Sequence, residues 1–194
     1  TKNFTSAQGG AIAINNKNLI KRGVNILNKG NSKKLTKKNY YYWVDIGSEY
    51  EMSGFSAALL LNQISRYTKS QYLRSSIFDR YEKQLSQIRN EHIFKTLKKN
   101  KYSKHSYHLF ALIFKKNSFK KKFIKFMLKR NIQVMGHYYP LHMSPMGKKY
   151  KNKYCTVTEN LYDKIVRLPI YPGLKNIELE KIIKAVKKFV DTNK

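Results

Sequence analysis

Four of the five histidines fall into two close pairs, His105 with His108 and His137 with His142. Imidazoles at such spacing could ligate a metal or move protons near neutral pH. No carboxylate partner is obvious beside them in the chain, so each reads better as a core imidazole or a substrate contact. The single cysteine, Cys155, excludes an internal disulfide framework and denies zinc a thiolate cluster; it also points to a reducing compartment. No glycine-rich dinucleotide fingerprint, no phosphate loop and no His-Glu-x-x-His is present, which removes the commonest nucleotide and zinc-hydrolase chemistries. Asn3-Phe4-Thr5 fits a glycosylation acceptor, but so short a match is common by chance and the cysteine usage argues against secretion.

The chain has 194 residues, 41% of them apolar, with 40 Lys and Arg against 11 Asp and Glu, a formal net charge of +29. That apolar share is enough for a real core. The charge invites a nucleic-acid reading, but 33 of the 40 cations are Lys and seven are Arg, whereas base-edge readout and bidentate phosphate contacts favour Arg. The lysines also lie in pairs and triplets along the whole chain, as a solvated surface would have them. A basic surface would still attract an anionic, nucleotide-linked substrate. Tyr40, Tyr41, Tyr42 and Trp43 could stack on bases, but read better as a half-buried strand or loop anchor. No apolar run approaches the length of a membrane span and no secretion signal opens the chain. Thr1 stands where an initiator Met would be, so the natural start is expected to lie further upstream.

The elements that must carry any site follow from periodicity. Residues 8–16 read as a short buried strand and Leu19 to Leu27 as a helix; Lys29 to Asn39 reads as a mobile surface loop. From Ser53 the pattern turns helical: Ala57, Leu60, Leu61, Ile64 and Tyr67 form a stripe that Leu73, Ile77, Tyr81, Leu85 and Ile88 continue, predicting one long helix with a possible break near Ser70. Residues 105–114, HSYHLFALIF, predict a strand buried on both faces. Asn117 or Ser118 would cap a helix bearing Phe119, Phe123, Phe126 and Met127, ended by Asn131. A strand over Ile132 to His137 is expected next. Asn176 would cap a final helix that buries Ile182, Ile183, Val186, Phe189 and Val190. Strands alternating with helices predict an α/β or α+β lobe behind the long helix.

The first sixteen residues, TKNFTSAQGGAIAINN, resemble the cofactor-lysine segment of the DegT/DnrJ/EryC1/StrS sugar-nucleotide aminotransferases. Four further stretches resemble the same family in the same order: WVDIGSEYEMSGFSAALLLNQI, HSYHLFAL, HYYPLHMSP and VRLPIYPGL. The resemblance runs from about residue 1 to 190. Trp43 to Ser48 and His137 to His142 are most similar to the branch that makes dTDP-4-amino-4,6-dideoxygalactose. It implies an α/β fold, the C-terminal part of the fold type I, pyridoxal phosphate-dependent aminotransferase architecture. Residues 1–52 would end the large cofactor-binding domain, 53–90 would form the interlobe helix region, and 91–194 the small α+β domain.

The resemblance also implies the chemistry. Lys2 would condense with the aldehyde of pyridoxal 5'-phosphate and later shuttle a proton, a role for which it would otherwise be one lysine among 33. Glu49 stands where relatives carry an Asn or Ser that reaches the partner subunit's cofactor phosphate, and a carboxylate there would repel that phosphate unless protonated or turned away. Gly54 replaces a usual acidic residue at the helix start, and Gln8 a frequent Glu or Asp. His137, Tyr138 and His142 would face the sugar nucleotide. The implied reaction moves an amino group from glutamate to a dTDP-4-keto-6-deoxyhexose in the cytoplasm, for surface polysaccharide or lipopolysaccharide, in a homodimer. The chain resembles the second half of such an enzyme. Alone it is expected to be inactive, working with a separately encoded N-terminal half or standing as a non-catalytic remnant, companion subunit or basic nucleic-acid-binding protein.

Overall fold

In the computed structural model of the chain, residues 2–31, 42–88, 92–97, 99–150 and 154–193 are described. They divide into two compact units, Lys2–Tyr67 and Thr68–Lys194.

The N-terminal unit holds α1 (Lys17–Leu27) and α2 (Gly54–Ser65). Asn16 caps α1, its side chain accepting from the Asn18 N–H at 3.0 Å, and Ser53 caps α2 by accepting from Ser56 N–H at 3.2 Å. Behind α1 the chain turns at Gly30, whose φ is +77° and whose added Cβ would lie 1.9 Å from the Asp45 carbonyl oxygen. Val44 N–H donates to Gly30 O at 2.8 Å, Lys29 N–H to Ser48 O at 3.1 Å and Ser48 N–H to Ile26 O at 3.1 Å. These bonds lay residues 43–49 against the end of α1. No apolar side chain of this unit is buried among the described residues, and Ile12, Ile46 and Phe55 are about nine-tenths exposed (88%, 90% and 93%).

Several expectations fail here. Residues 8–16 form no strand, because no ladder among the described residues reaches them to take up their backbone groups. Tyr42 and Trp43 are exposed rather than half-buried. The loop expected over Lys29 to Asn39 lies largely outside the described residues, as do Tyr40 and Tyr41. No residue of α2 is buried, so the first half of the stripe has no core to face. The helical run breaks at Arg66 (φ −100°, ψ 8°), not near Ser70.

The C-terminal unit carries the core. It contains most of α3 (Tyr67–Ser86), then β1 (Phe94–Thr96), β2 (Phe110–Phe114), α4 (Asn117–Leu128), β3 (Met135–Gly136), a 3-10 turn at Leu141–Met143, the short α5 (Pro145–Lys148), α6 (Thr156–Tyr162), β4 (Ile165–Leu168) and α7 (Asn176–Asp191). The sheet is antiparallel throughout, in the order β1-β2-β4-β3. All five residues of β2 are buried, as its unbroken apolar run predicts. In register, Phe110 faces Leu168 and Leu112 faces Val166. Phe114, Phe123 and Phe189 then join β2 to α4 and α7, with ring centroids 5.0 Å and 5.1 Å apart along that chain. Tyr81, fully buried on α3, packs on Phe110 at 5.0 Å and donates its hydroxyl to Pro169 O at 2.8 Å.

The strands are shorter than expected: residues 105–109 stay outside β2, and only Met135–Gly136 of 132–137 pair. Neither predicted asparagine cap forms. Asn117 lies inside α4 and donates to Asp163 O, and Asn176 lies inside α7, where its oxygen accepts from Arg80. Glu178 instead accepts from the Lys175 N–H at 2.9 Å, closing the start of α7. Asn131 does end α4, with φ +56°.

Candidate active site

The lysine-bearing segment is held on both sides of a tight turn. Lys2 is exposed. Two residues on, the Phe4 ring lies 5.3 Å from that of Tyr67. The Thr5 peptide is then met by the side chain of Gln63, 58 residues away: Thr5 N–H donates to Oε1 at 3.0 Å and Nε2 donates to Thr5 O at 2.5 Å. Thr5 Oγ1 accepts from the Ala7 N–H, and Ser6 Oγ donates to Gln8 O at 2.8 Å. The lysine thus projects from a braced backbone with its amine open to a ligand.

Glu49 sits on the 43–49 segment that Gly30 receives. Its carboxylate lies 2.9 Å from Lys29 Nζ, both side chains being largely exposed. The repulsion expected between Glu49 and a phosphate is therefore offset by a cation beside it, and Arg22 does the same for Asp45 at 3.5 Å. An open amine on a braced loop and a locally neutralised Glu49 fit pyridoxal phosphate.

The other three expected residues belong to the C-terminal unit. His137 follows β3, half-buried, its ring 4.5 Å from that of Tyr138. Burial, then the nearby Arg167, then His108 hold its imidazole below the ordinary value, so it is poised neutral. Its Nδ1 is buried with no hydrogen-bond partner. Tyr138 is exposed and carries the Arg167 guanidinium over its face at 5.3 Å. His142, on the 3-10 turn, does have a carboxylate partner, against expectation: Glu159 Oε1 lies 2.9 Å from Nε2, and the same oxygen accepts from the Cys155 N–H at 3.2 Å. Local spacing hid this pair because α6 brings the glutamate back from 17 residues away. The turn is tight enough that a Cβ on Gly147 would sit 2.0 Å from Leu141 O. Among the described residues no cluster of side chains suits a metal ion.

Sequence reasoning thus missed three residues. Gln63 and Arg167 stood inside motifs already singled out, but nothing in their spacing signalled a role. Glu159 gave no local signal at all.

The chain belongs to the DegT/DnrJ/EryC1/StrS aminotransferase family, whose family model matches residues 1–187. It is 28% identical over 206 residues to an uncharacterized protein of Methanocaldococcus jannaschii, covering 100% of this chain and 53% of that protein. It is 25% identical to the GDP-perosamine synthase of Escherichia coli O157:H7, covering 97% and 49%, and 28% identical to the dTDP-3-amino-3,6-dideoxy-alpha-D-galactopyranose transaminase of Aneurinibacillus thermoaerophilus, covering 93% and 47%. The chain spans about half the length of the curated relatives it matches. Among solved structures, Helicobacter pylori PseC, an aminotransferase involved in the biosynthesis of pseudoaminic acid, superposes with a TM-score of 0.83 at 21% identity over 98% of this chain and 51% of PseC. Streptococcus pneumoniae Spr1654 in its PLP form superposes with a TM-score of 0.79 at 22% identity, over 98% of this chain and 50% of its own. The fold is therefore the mixed α/β fold of the matching part of these aminotransferases. The family match indicates pyridoxal phosphate as the cofactor.

Proposed function

We propose that this chain supplies the lysine-bearing half of a sugar-nucleotide transaminase that moves the amino group of glutamate onto a dTDP-linked 4-keto-6-deoxyhexose, in the cytoplasm, for surface polysaccharide or lipopolysaccharide. The observation that carries the reading is a family match that begins at the lysine segment and runs through both units. Lys2 Nζ would hold the cofactor through its aldehyde, and the same amine on its flexible stem would take and return the proton at the donor carbon. Pyridoxal phosphate, when bound, supplies the electron sink for that proton's removal. Glu49, balanced by Lys29, would stand near the cofactor phosphate of the partner subunit. His137 and Tyr138 offer hydrogen bonds to sugar hydroxyls, and His142, oriented by Glu159, offers its remaining nitrogen.

The relatives' names include both GDP- and dTDP-linked products, so the nucleotide is the finest part of the proposal. The uncovered apolar faces of the N-terminal unit, around Ile12, Ile46 and Phe55, suit burial against a second copy in a homodimer or against a separate N-terminal half. Alone, the chain is proposed to give no turnover. The test is reductive trapping in the assembled enzyme: borohydride fixes pyridoxal phosphate on Lys2, Lys2→Arg abolishes amino transfer, and the dTDP-linked ketosugar outcompetes its GDP and UDP counterparts. Label spread over the surface lysines would overturn the reading.

A further inference from the structure

One side chain does for the lysine segment what a neighbouring strand would otherwise do. The Gln63 carboxamide meets the Thr5 peptide with its oxygen on the N–H and its nitrogen on the carbonyl, and spends its second N–H on Leu59 O at 3.2 Å, one turn back in α2. An amide side chain has two donors and an acceptor on one plane, and all three functions are used here. The segment has no β-ladder to fix it among the described residues, and the Phe4–Tyr67 ring contact adds to the hold.

We infer that Gln63 is the positioning residue for Lys2, a two-point clamp through Thr5 that fixes where the reactive amine emerges. The inference rests on the reading of Lys2 given above. The chemistry admits few substitutes. Glutamate keeps the acceptor for Thr5 N–H but sets a carboxylate against Thr5 O; leucine keeps the volume and removes both bonds. Protonating that introduced carboxylate would regain a donor, so Gln63→Glu should restore the clamp in acid, below about pH 4.3, and lose it at neutrality.

The experiment compares the assembled enzyme containing this chain with its Gln63→Leu and Gln63→Glu forms by amide hydrogen exchange and by the rate at which pyridoxal phosphate and borohydride mark each lysine, resolved by mass spectrometry. The expected result is faster exchange at Thr5 in Gln63→Leu, pH-dependent recovery in Gln63→Glu, unchanged exchange in β2 and α7, and marking at Lys2 slowed about tenfold relative to Lys21. Thr5 exchange that ignores position 63 overturns the clamp alone. Loosened Thr5 with unchanged marking at Lys2 overturns the positioning role. Wild-type marking no faster at Lys2 than at Lys21, with Thr5 still protected by Gln63, instead overturns the reading of Lys2 as the cofactor lysine.

Discussion

Glu159 and His142 share a hydrogen bond of 2.9 Å between Oε1 and Nε2, and Cys155 N–H leans on the same oxygen. The hydrogen bond from His142, then that from the Cys155 backbone, hold the Glu159 carboxyl below its ordinary value of 4.5. Because the folded value is depressed, the bond's contribution is fully present above 4.5 and is lost as pH falls through the folded value. A carbon NMR titration of Glu159 should give a midpoint below 4.5 that rises in His142→Ala. An unmoved midpoint would separate the two groups.

His137 works in a higher pH window. Burial, then Arg167, then His108 depress its imidazole below 6.5. The unfolded chain therefore takes up this proton first, so the contribution to stability is present above 6.5 and declines as pH drops toward the folded midpoint. Proton NMR of the ring should show titration below 6.5, and Arg167→Gln should move it partway back up.

Tyr81→Phe leaves the Pro169 carbonyl without the hydroxyl that now donates to it at 2.8 Å in a part-buried position. The expected loss is about 1 kcal/mol in chemical denaturation of the C-terminal unit, the net worth of an ordinary hydrogen bond. An effect within experimental error would mean that water reaches Pro169.

Two glycines of the N-terminal unit should respond in opposite directions. At Gly30 a methyl group would collide with Asp45 O in a left-handed backbone, so Gly30→Ala should cost about 1–3 kcal/mol and free the segment bearing Glu49. At Gly54 a Cβ meets nothing within 4 Å, and Gly54→Ala, at the first position of α2, should gain about 0.4–1 kcal/mol by narrowing the unfolded ensemble. Amide exchange over residues 25–31 and 54–65 reads both.

What could be read from the chain follows the same physics. β2 was legible because five successive apolar residues are buried on both faces, and α7 because its apolar positions repeat at helical spacing against a core. β1 and β4, three and four residues long, fall below the window over which alternation can be seen. Ala11 to Ile14 have the composition of a strand, but composition supplies no neighbour to bond with. The candidates Lys2, Glu49, His137, Tyr138 and His142 came from family likeness, whereas two contacts beside them were invisible: Gln63 meets Thr5 and Glu159 meets His142 across 58 and 17 residues, and no local pattern encodes such pairings.

Among the described residues the buried apolar core draws on residues 77–190, while Lys2–Tyr67 buries no apolar side chain. During synthesis that stretch leaves the ribosome before the part able to collapse by itself, and at about 5–20 residues per second it waits several seconds with Ile12, Ile46 and Phe55 bare. Its cationic coat is then its main protection against clumping with other nascent chains.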